Sequence, residues 1–218
     1  MTLIATLAES TVAEQTSVEQ RSVTQTANHQ NQTHCFPRQG EWTYEDWLQL
    51  PNDGWKYEII DGVLYMSPPP LIRHQGISMR LSSSLHFYAS QHKLGIVLTA
   101  PCGVRLPGQQ VPVEPDILFI KQANLQIIEE RYVEGAPDLI VEILSPSNAN
   151  YDLETKFNLY QAAGVAEYWV VNGWEQTVTI HQLGETDYQA PNVYGLGAVA
   201  TSTALHGFQI AVETIFNL

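Results

Sequence analysis

Six consecutive residues, Leu139-Ile140-Val141-Glu142-Ile143-Leu144, are apolar on both faces of an extended chain except at Glu142. A run of this length, rich in β-branched residues, reads as a central strand covered on both sides. Two runs of the same kind precede it, at residues 96–106 and 113–121. Strands of this type need helices to cover them, and two helical stretches are visible. Ile77, Leu81, Leu85 and Tyr88 make a stripe along residues 72–92, closed by Gly95. A second helix is predicted over 152–163, with Asp152 as N-cap and Gly164 as C-cap.

The remaining elements are shorter. Thr43 is a plausible N-cap for a helix through Leu50, stopped by Pro51. Residues 56–66 read as a hairpin about Asp61-Gly62, and Pro68-Pro69-Pro70 ends the pairing. A second hairpin joins 167–171 to 177–183 through Asn172-Gly173, and a last apolar pattern covers 208–216. This order predicts an α/β chain of the α+β type, with a mixed central β-sheet flanked by helices.

Residues 1–39 differ in composition from the rest of the chain. Of the first 35, 17 are Ser, Thr, Asn or Gln, and none is Gly, Pro or aromatic. Such a stretch has too little apolar surface to offset the entropy of ordering, so 1–39 is expected to be a disordered tail and 40–218 the folded domain. The tail lacks the apolar core of a secretory signal, and no run approaches the roughly 18–20 apolar residues that span a bilayer. A cytoplasmic protein with no membrane association is expected. Cys35 and Cys102 are the only cysteines, too few for a disulfide framework or a CxxC-type zinc site.

Charge narrows the function. The chain carries 23 acidic and 10 basic side chains, and 20 acids against 8 bases lie from residue 40 onward. That balance opposes bulk binding to a phosphate backbone, which relies on Lys and Arg.

The acids of interest sit where a core strand should have none. A buried carboxylate must be paired, metal-bound or protonated, and this applies to Glu142 and to Asp116 just before Ile117. Acids on neighbouring strands suit Mg²⁺, which takes hard oxygen ligands and keeps several waters. Asp138 and Glu142, four apart on one strand, lie about 13 Å apart and cannot share an ion. Glu114 and Asp116 are about 6.6 Å apart on the same estimate, so only one of them can be a direct ligand. Asp116 with Glu142 is the favoured pair. Lys156 lies at the edge of the apolar stripe of its helix, Leu153, Phe157, Tyr160 and Gly164, where it could orient a water, neutralise a phosphate or simply pair with Asp152. His74 could reach the same region, although a surface position is the simpler expectation; His74, His86, His92, His181 and His206 form no close metal-ligand spacing.

Five segments together carry a family resemblance: Tyr57-Glu58-Ile59-Ile60-Asp61-Gly62, Met66-Ser67-Pro68, Glu114-Pro115-Asp116-Ile117, residues 135–147 from Gly135-Ala136-Pro137-Asp138 to Ser145-Pro146-Ser147, and residues 163–171. They resemble the signatures of the Uma-two family, restriction-endonuclease-like proteins of the PD-(D/E)XK nuclease superfamily, over about residues 42–216. The resemblance implies a restriction-endonuclease-like core and a Mg²⁺-dependent endonuclease cleaving phosphodiester bonds of DNA, with Mn²⁺ as a substitute and a homodimer as a common assembly. Asp116 matches the acid of the family's PD element and Glu142 that of the second element. Leu144 stands where the superfamily's usual lysine would be, and Lys156 matches the alternative position on the following helix. The implied metal ligands are Asp116, Glu142 and the Ile143 carbonyl, and the candidate catalytic residues are Asp116, Glu142, Lys156 and Glu58. Glu58 is equally a cross-strand partner for Lys56 or Arg73. Two other functions stay open: a catalytically inactive nuclease fold used for binding or regulation, and a hydrolase of some other phosphate ester.

Overall fold

Thr43 starts the first helix, α1 (Tyr44–Trp47), through a capping box: its hydroxyl accepts from the Asp46 amide, and the Asp46 carboxylate accepts from the Thr43 amide. The computed structural model describes residues 36–145 and 154–217. β1 (Lys56–Ile60) and β2 (Val63–Ser67) form an antiparallel hairpin after α1. Asp61 and Gly62 have φ of 50° and 73°, the left-handed pair that a type I′ turn requires. Next come α2 (Ile72–His92), β3 (Gly95–Thr99), β4 (Val104–Arg105) and β5 (Ile117–Lys121). A 3₁₀ turn (Gln122–Ile127) leads to β6 (Val133–Glu134), β7 (Leu139–Ile143) and α3 (Lys156–Ala162). The chain then forms β8 (Glu167–Asn172), β9 (Thr177–Gln182), β10 (Asn192–Tyr194), β11 (Val199–Thr201), β12 (Gln209–Ala211) and α4 (Val212–Phe216).

The central sheet has six strands in the order β10-β9-β8-β7-β5-β3. Among the described residues of this sheet, only β7 and β8 are parallel, joined across α3; its other pairs are antiparallel. The expected mixed sheet flanked by helices is therefore present. Alternation along the strands divides the core into two layers. Ile117, Phe119, Leu139, Val141 and Trp169 pack with Ile77, Leu81 and Leu85 of α2 and with Ile215 of α4. Leu118, Ile120, Ile140, Tyr168 and Val170 face the other way, against Leu159 and Tyr160 of α3 and Ile60 of the hairpin. Among the described residues, no helix is long and apolar enough to cross a membrane.

Several boundaries differ from the sequence expectation, and local chemistry accounts for them. The run 96–106 is two strands, because β3 ends at Thr99 and Pro101 has no amide to extend a ladder. The run 113–121 becomes a strand only at Ile117, since Pro115 interrupts it and Val113 instead bridges to Val104. The β8–β9 turn is residues 173–176, because Asn172 ends β8 instead of opening the turn. The 208–216 pattern divides into β12 and α4. Asp152, the expected N-cap of α3, lies outside the described residues. So do positions 1–35 of the tail. Residues 36–39 belong to the folded unit, which begins at Phe36. Phe36 stacks on Trp42, and the Gln39 amide bonds both the carbonyl and the amide of Leu64.

Lys93, not Gly95, closes α2: it takes the left-handed conformation at the C-cap with φ 53°. Gly95 has a different task. At φ +150°, an added Cβ would lie 2.0 Å from the Ile120 carbonyl oxygen, across the β3–β5 pairing. Gly95→Ala should therefore destabilise the domain by about 2 kcal/mol or more. Urea denaturation checks this, and an unchanged midpoint would show that the β3 edge relaxes freely.

Candidate functional site

The site is assembled from five elements, β7, the segment entering β5, α3, β1 and α2, whose local sequence fixes where each side chain points. Glu142 lies on β7 between Val141 and Ile143, so it shares the layer of Ile140 and Leu144 under α3 and the β1–β2 hairpin. In the antiparallel register Ile117 faces Val141, which brings Asp116 alongside the Glu142–Ile143 peptide. The Ile143 amide donates to Asp116 Oδ2 at 2.7 Å. Lys156 and Tyr160 are four apart on α3 and share a face. Both reach the same oxygen: Lys156 Nζ donates to Glu142 Oε1 at 2.8 Å, and Tyr160 OH at 2.6 Å.

The hairpin supplies the other half. Glu58 of β1 accepts the Glu114 amide through Oε1 at 2.9 Å and faces Lys156 Nζ through Oε2 at 3.3 Å. Lys56 approaches the same Oε2 at 3.3 Å and donates to the Glu114 carbonyl. Lys156 thus bridges two carboxylates from different parts of the fold. Glu58 and Glu142 are each 2% exposed and Lys156 1%, so the triad is an ion network in the interior, not a solvated face. From the first turn of α2, His74 Nε2 approaches Asp116 Oδ2 at 3.2 Å.

Burial and neighbouring charges compete at each group. For Glu58, burial pushes the pKa up, but Lys156, Lys56 and the Glu114 amide outweigh it and hold the carboxyl below its ordinary range. Asp116 shows the same pattern: burial raises it, while His74, Lys56 and the Ile143 amide bring it below the usual value. For His74, burial lowers the pKa, yet the Asp116 hydrogen bond and the charges of Asp116 and Glu142 leave it raised. Burial pushes Glu114 up, with Lys56 opposing. Tyr160 is raised well above its ordinary value, by burial first and Glu142 second, so it is a hydrogen-bond donor here rather than a phenolate.

All of these groups except the fully buried Tyr160 line a cleft of about 480 Å³. Asp116, Glu142, Lys156, Glu58 and Ile143, all singled out from sequence, lie on its wall together with Glu114. Three neighbours carried little weight in the sequence. His74 was expected at the surface and instead pairs with Asp116. Tyr160 read only as part of an apolar stripe, although its four-residue spacing from Lys156 placed the two on one face. Lys56 stood out only as a partner for Glu58, and that pairing is present. Arg73, the other partner considered, instead donates to the Gly173 carbonyl. Asp138 caps the Lys121 amide and binds the Asn124 side chain, away from the cleft. Cys102 is partly buried, and burial raises its pKa, the reverse of an activated thiolate.

Among the described residues, no three His, Cys, Asp or Glu side chains converge as a cage for a metal ion. An all-protein site of the calcium or zinc kind is therefore not built here. The donor chemistry fits the sparser Mg²⁺ arrangement, in which one or two carboxylates are completed by waters and substrate phosphate. Asp116 Oδ2 is held by Ile143 and His74, while no donor among the described residues engages its Oδ1.

Comparison with known proteins agrees with this architecture. The sequence model of the Uma2 family, described as "Putative restriction endonuclease", matches residues 44–213. A crystal structure from Anabaena variabilis ATCC 29413, described as a "putative nuclease belonging to DUF820", superposes with a TM-score of 0.65 at 20% identity. The match covers 79% of this chain and 96% of that one, and at that identity it bears on the fold alone. No curated protein matches the chain.

Proposed function

Because the chain belongs to the Uma2 family, we propose that its cleft is a Mg²⁺-dependent endonuclease site hydrolysing phosphodiester bonds of DNA, with Mn²⁺ able to replace Mg²⁺. One observation carries this reading: carboxylates from two adjacent strands, Asp116 and Glu142, meet at a cleft in contact with a lysine from the following helix. Asp116, Glu142 and the Ile143 carbonyl would hold the ion. Such an ion, when bound, lowers the pKa of a coordinated water and stabilises the leaving oxyanion.

The chain's own residues do the rest. Lys156 and Tyr160 fix Glu142 from one side, and the Ile143 amide with His74 fixes Asp116 from the other. With its ammonium buried between Glu58 and Glu142, Lys156 acts as a positioning residue for the carboxylates. Lys56 has a side chain 26% exposed and lies on the cleft wall, where it can meet a phosphate oxygen. Glu58 serves this frame by holding both lysines.

A second reading, a nuclease fold retained for binding or regulation, is favoured by the same Lys156 contact, which already neutralises Glu142 without any ion. Calorimetric titration with Mg²⁺ separates the two. The proposal expects binding, and cleavage of DNA oligonucleotides that EDTA abolishes. Absence of Mg²⁺ binding would select the regulatory reading. A cytoplasmic location and a homodimer belong to the proposal as well, the latter checked by light scattering on the purified chain.

A further inference from the structure

Four of the basic residues outside the cleft are engaged by other groups of the protein. Arg73 donates to the Gly173 carbonyl, Arg80 to the Ile215 carbonyl, Arg105 pairs with Glu134, and Lys121 pairs with Asp138. The cleft itself offers two lysines, and one of them, Lys156, is buried between carboxylates. A duplex-binding surface engages its phosphates through Lys and Arg, typically at six to ten positions. Among the described residues, the cleft wall carries two lysines and no arginine, far short of such a track. What the cleft has instead is one exposed tryptophan. Trp55 is 45% exposed and lines the cleft at the entry to β1, and Gln75 and Ser78 of α2 line it as well. The volume of about 480 Å³ is that of a site for a small ligand rather than a groove for a double helix about 20 Å across.

From this we infer that the site takes unpaired nucleotides, a single strand or a frayed end, with one base stacked on Trp55 and the adjoining phosphate directed towards Lys56 and the carboxylates. Stacking supplies affinity that the acidic chain cannot draw from phosphates, and it is tolerant of sequence because every base has a π-face. Gln75 and Ser78 provide hydrogen-bonding groups for the edge of that base. The inference rests on the nuclease reading of this cleft and specifies its substrate class.

The test is binding of fluorescently labelled oligonucleotides to the full chain, monitored by anisotropy, with Ca²⁺ in place of Mg²⁺ to prevent turnover. Single-stranded DNA, single-stranded RNA and a blunt duplex of the same sequence form the three arms. Either single strand should bind at least about tenfold tighter than the duplex, and the DNA and RNA arms show which sugar is accepted. Trp55→Ala should weaken single-strand binding by roughly 5- to 150-fold, the worth of one stacked base. Trp55→Phe should restore most of it and guards against a simple folding defect. With one or two phosphates engaged, the logarithmic salt slope should be about -1. Equal binding of duplex and single strand, no binding of any arm, or indifference to Trp55→Ala overturns the inference. Cleavage is scored separately with Mg²⁺. Cleavage of duplex DNA by Trp55→Ala at the wild-type rate would leave the nuclease reading standing and remove this one. Trp55-dependent single-strand binding without cleavage would do the reverse.

Discussion

Lys156→Met should lower the stability of the domain by about 3–5 kcal/mol at neutral pH, because it leaves two buried carboxylates without their shared cation. Methionine matches the length of the lysine stem, so packing loss is small and the charge is the variable. Glu58 retains Lys56 and the Glu114 amide, and Glu142 retains Tyr160, but one negative charge in the interior is no longer balanced. The variant should respond by protonating a carboxyl, whose folded pKa then lies above its unfolded value of about 4.3. A carboxyl with a raised folded pKa favours the folded state at low pH and loses that contribution as pH rises through the folded pKa. In the parent protein Glu58 is depressed instead, so its contribution is present above about pH 4.5 and disappears on acidification. Between about pH 5 and 8 Glu58 adds no slope to the parent, so in urea denaturation the variant should fall more steeply with rising pH than the parent, with the gap closing towards pH 5. Adding Glu142→Gln to Lys156→Met should recover part of the loss, since the amide oxygen still accepts from Tyr160 without a charge. A Lys156→Met protein as stable as the parent at pH 7 would mean that the network is solvated and that the carboxylates were never dependent on it.

The same residues show how far this fold can be read from sequence. The run 139–144 is legible because six nearly unbroken apolar residues can only be a strand buried on both faces, and the single acid inside it must then be explained by a partner. α2 is legible from the spacing of Ile77, Leu81 and Leu85, all buried. The short strands are not, because Pro101 and Pro115 act locally within runs whose hydrophobicity is continuous. The site divides along the same line. Asp116, Glu142 and Lys156 could be picked out because a charge in an apolar context is costly wherever it sits. Tyr160 and His74 could not, because a tyrosine in a stripe and a histidine near a helix start are both commonplace. Their roles depend on α3 and α2 approaching opposite sides of the β5–β7 pair, which is a property of the tertiary arrangement. The charge balance keeps its weight in the structure. The acids that cluster at the cleft are offset by Lys56, Lys156 and His74, whereas Arg73, Arg80, Arg105 and Lys121 outside it are bound to protein carbonyls and carboxylates.

Asp116→Asn should separate the chemistry of the cleft from the stability of the fold. Asparagine can still accept the Ile143 amide through its side-chain oxygen, so the β5–β7 junction keeps its hydrogen bond. What is lost is the charge. If Asp116 contributes a ligand charge to Mg²⁺, several kcal/mol of transition-state stabilisation go with it, and cleavage should fall by about a thousandfold at 1.36 kcal/mol per factor of ten. Calorimetry should show weakened Mg²⁺ binding in the same variant. His74 supplies an independent readout without the metal. In the parent protein its pKa is raised, with the Asp116 hydrogen bond the first cause opposing burial. A histidine raised on folding contributes stability that is complete below about pH 6.5 and is lost as pH climbs through its folded pKa. Asp116, depressed on folding, contributes stability present above about pH 4 and lost on acidification. The pair is therefore worth most between about pH 4 and 6.5, and the parent should lose stability on both sides of that window. Asp116→Asn removes the carboxylate that sustains both slopes, so its urea midpoint should vary less with pH across each limb, leaving the weaker influence of Glu142 on His74. Retention of full cleavage together with a flattened pH profile would assign Asp116 a structural partnership with His74 and move the metal to Glu142 alone. Loss of cleavage with an unaltered profile would place Asp116 at the ion and leave the His74 contact without energetic weight.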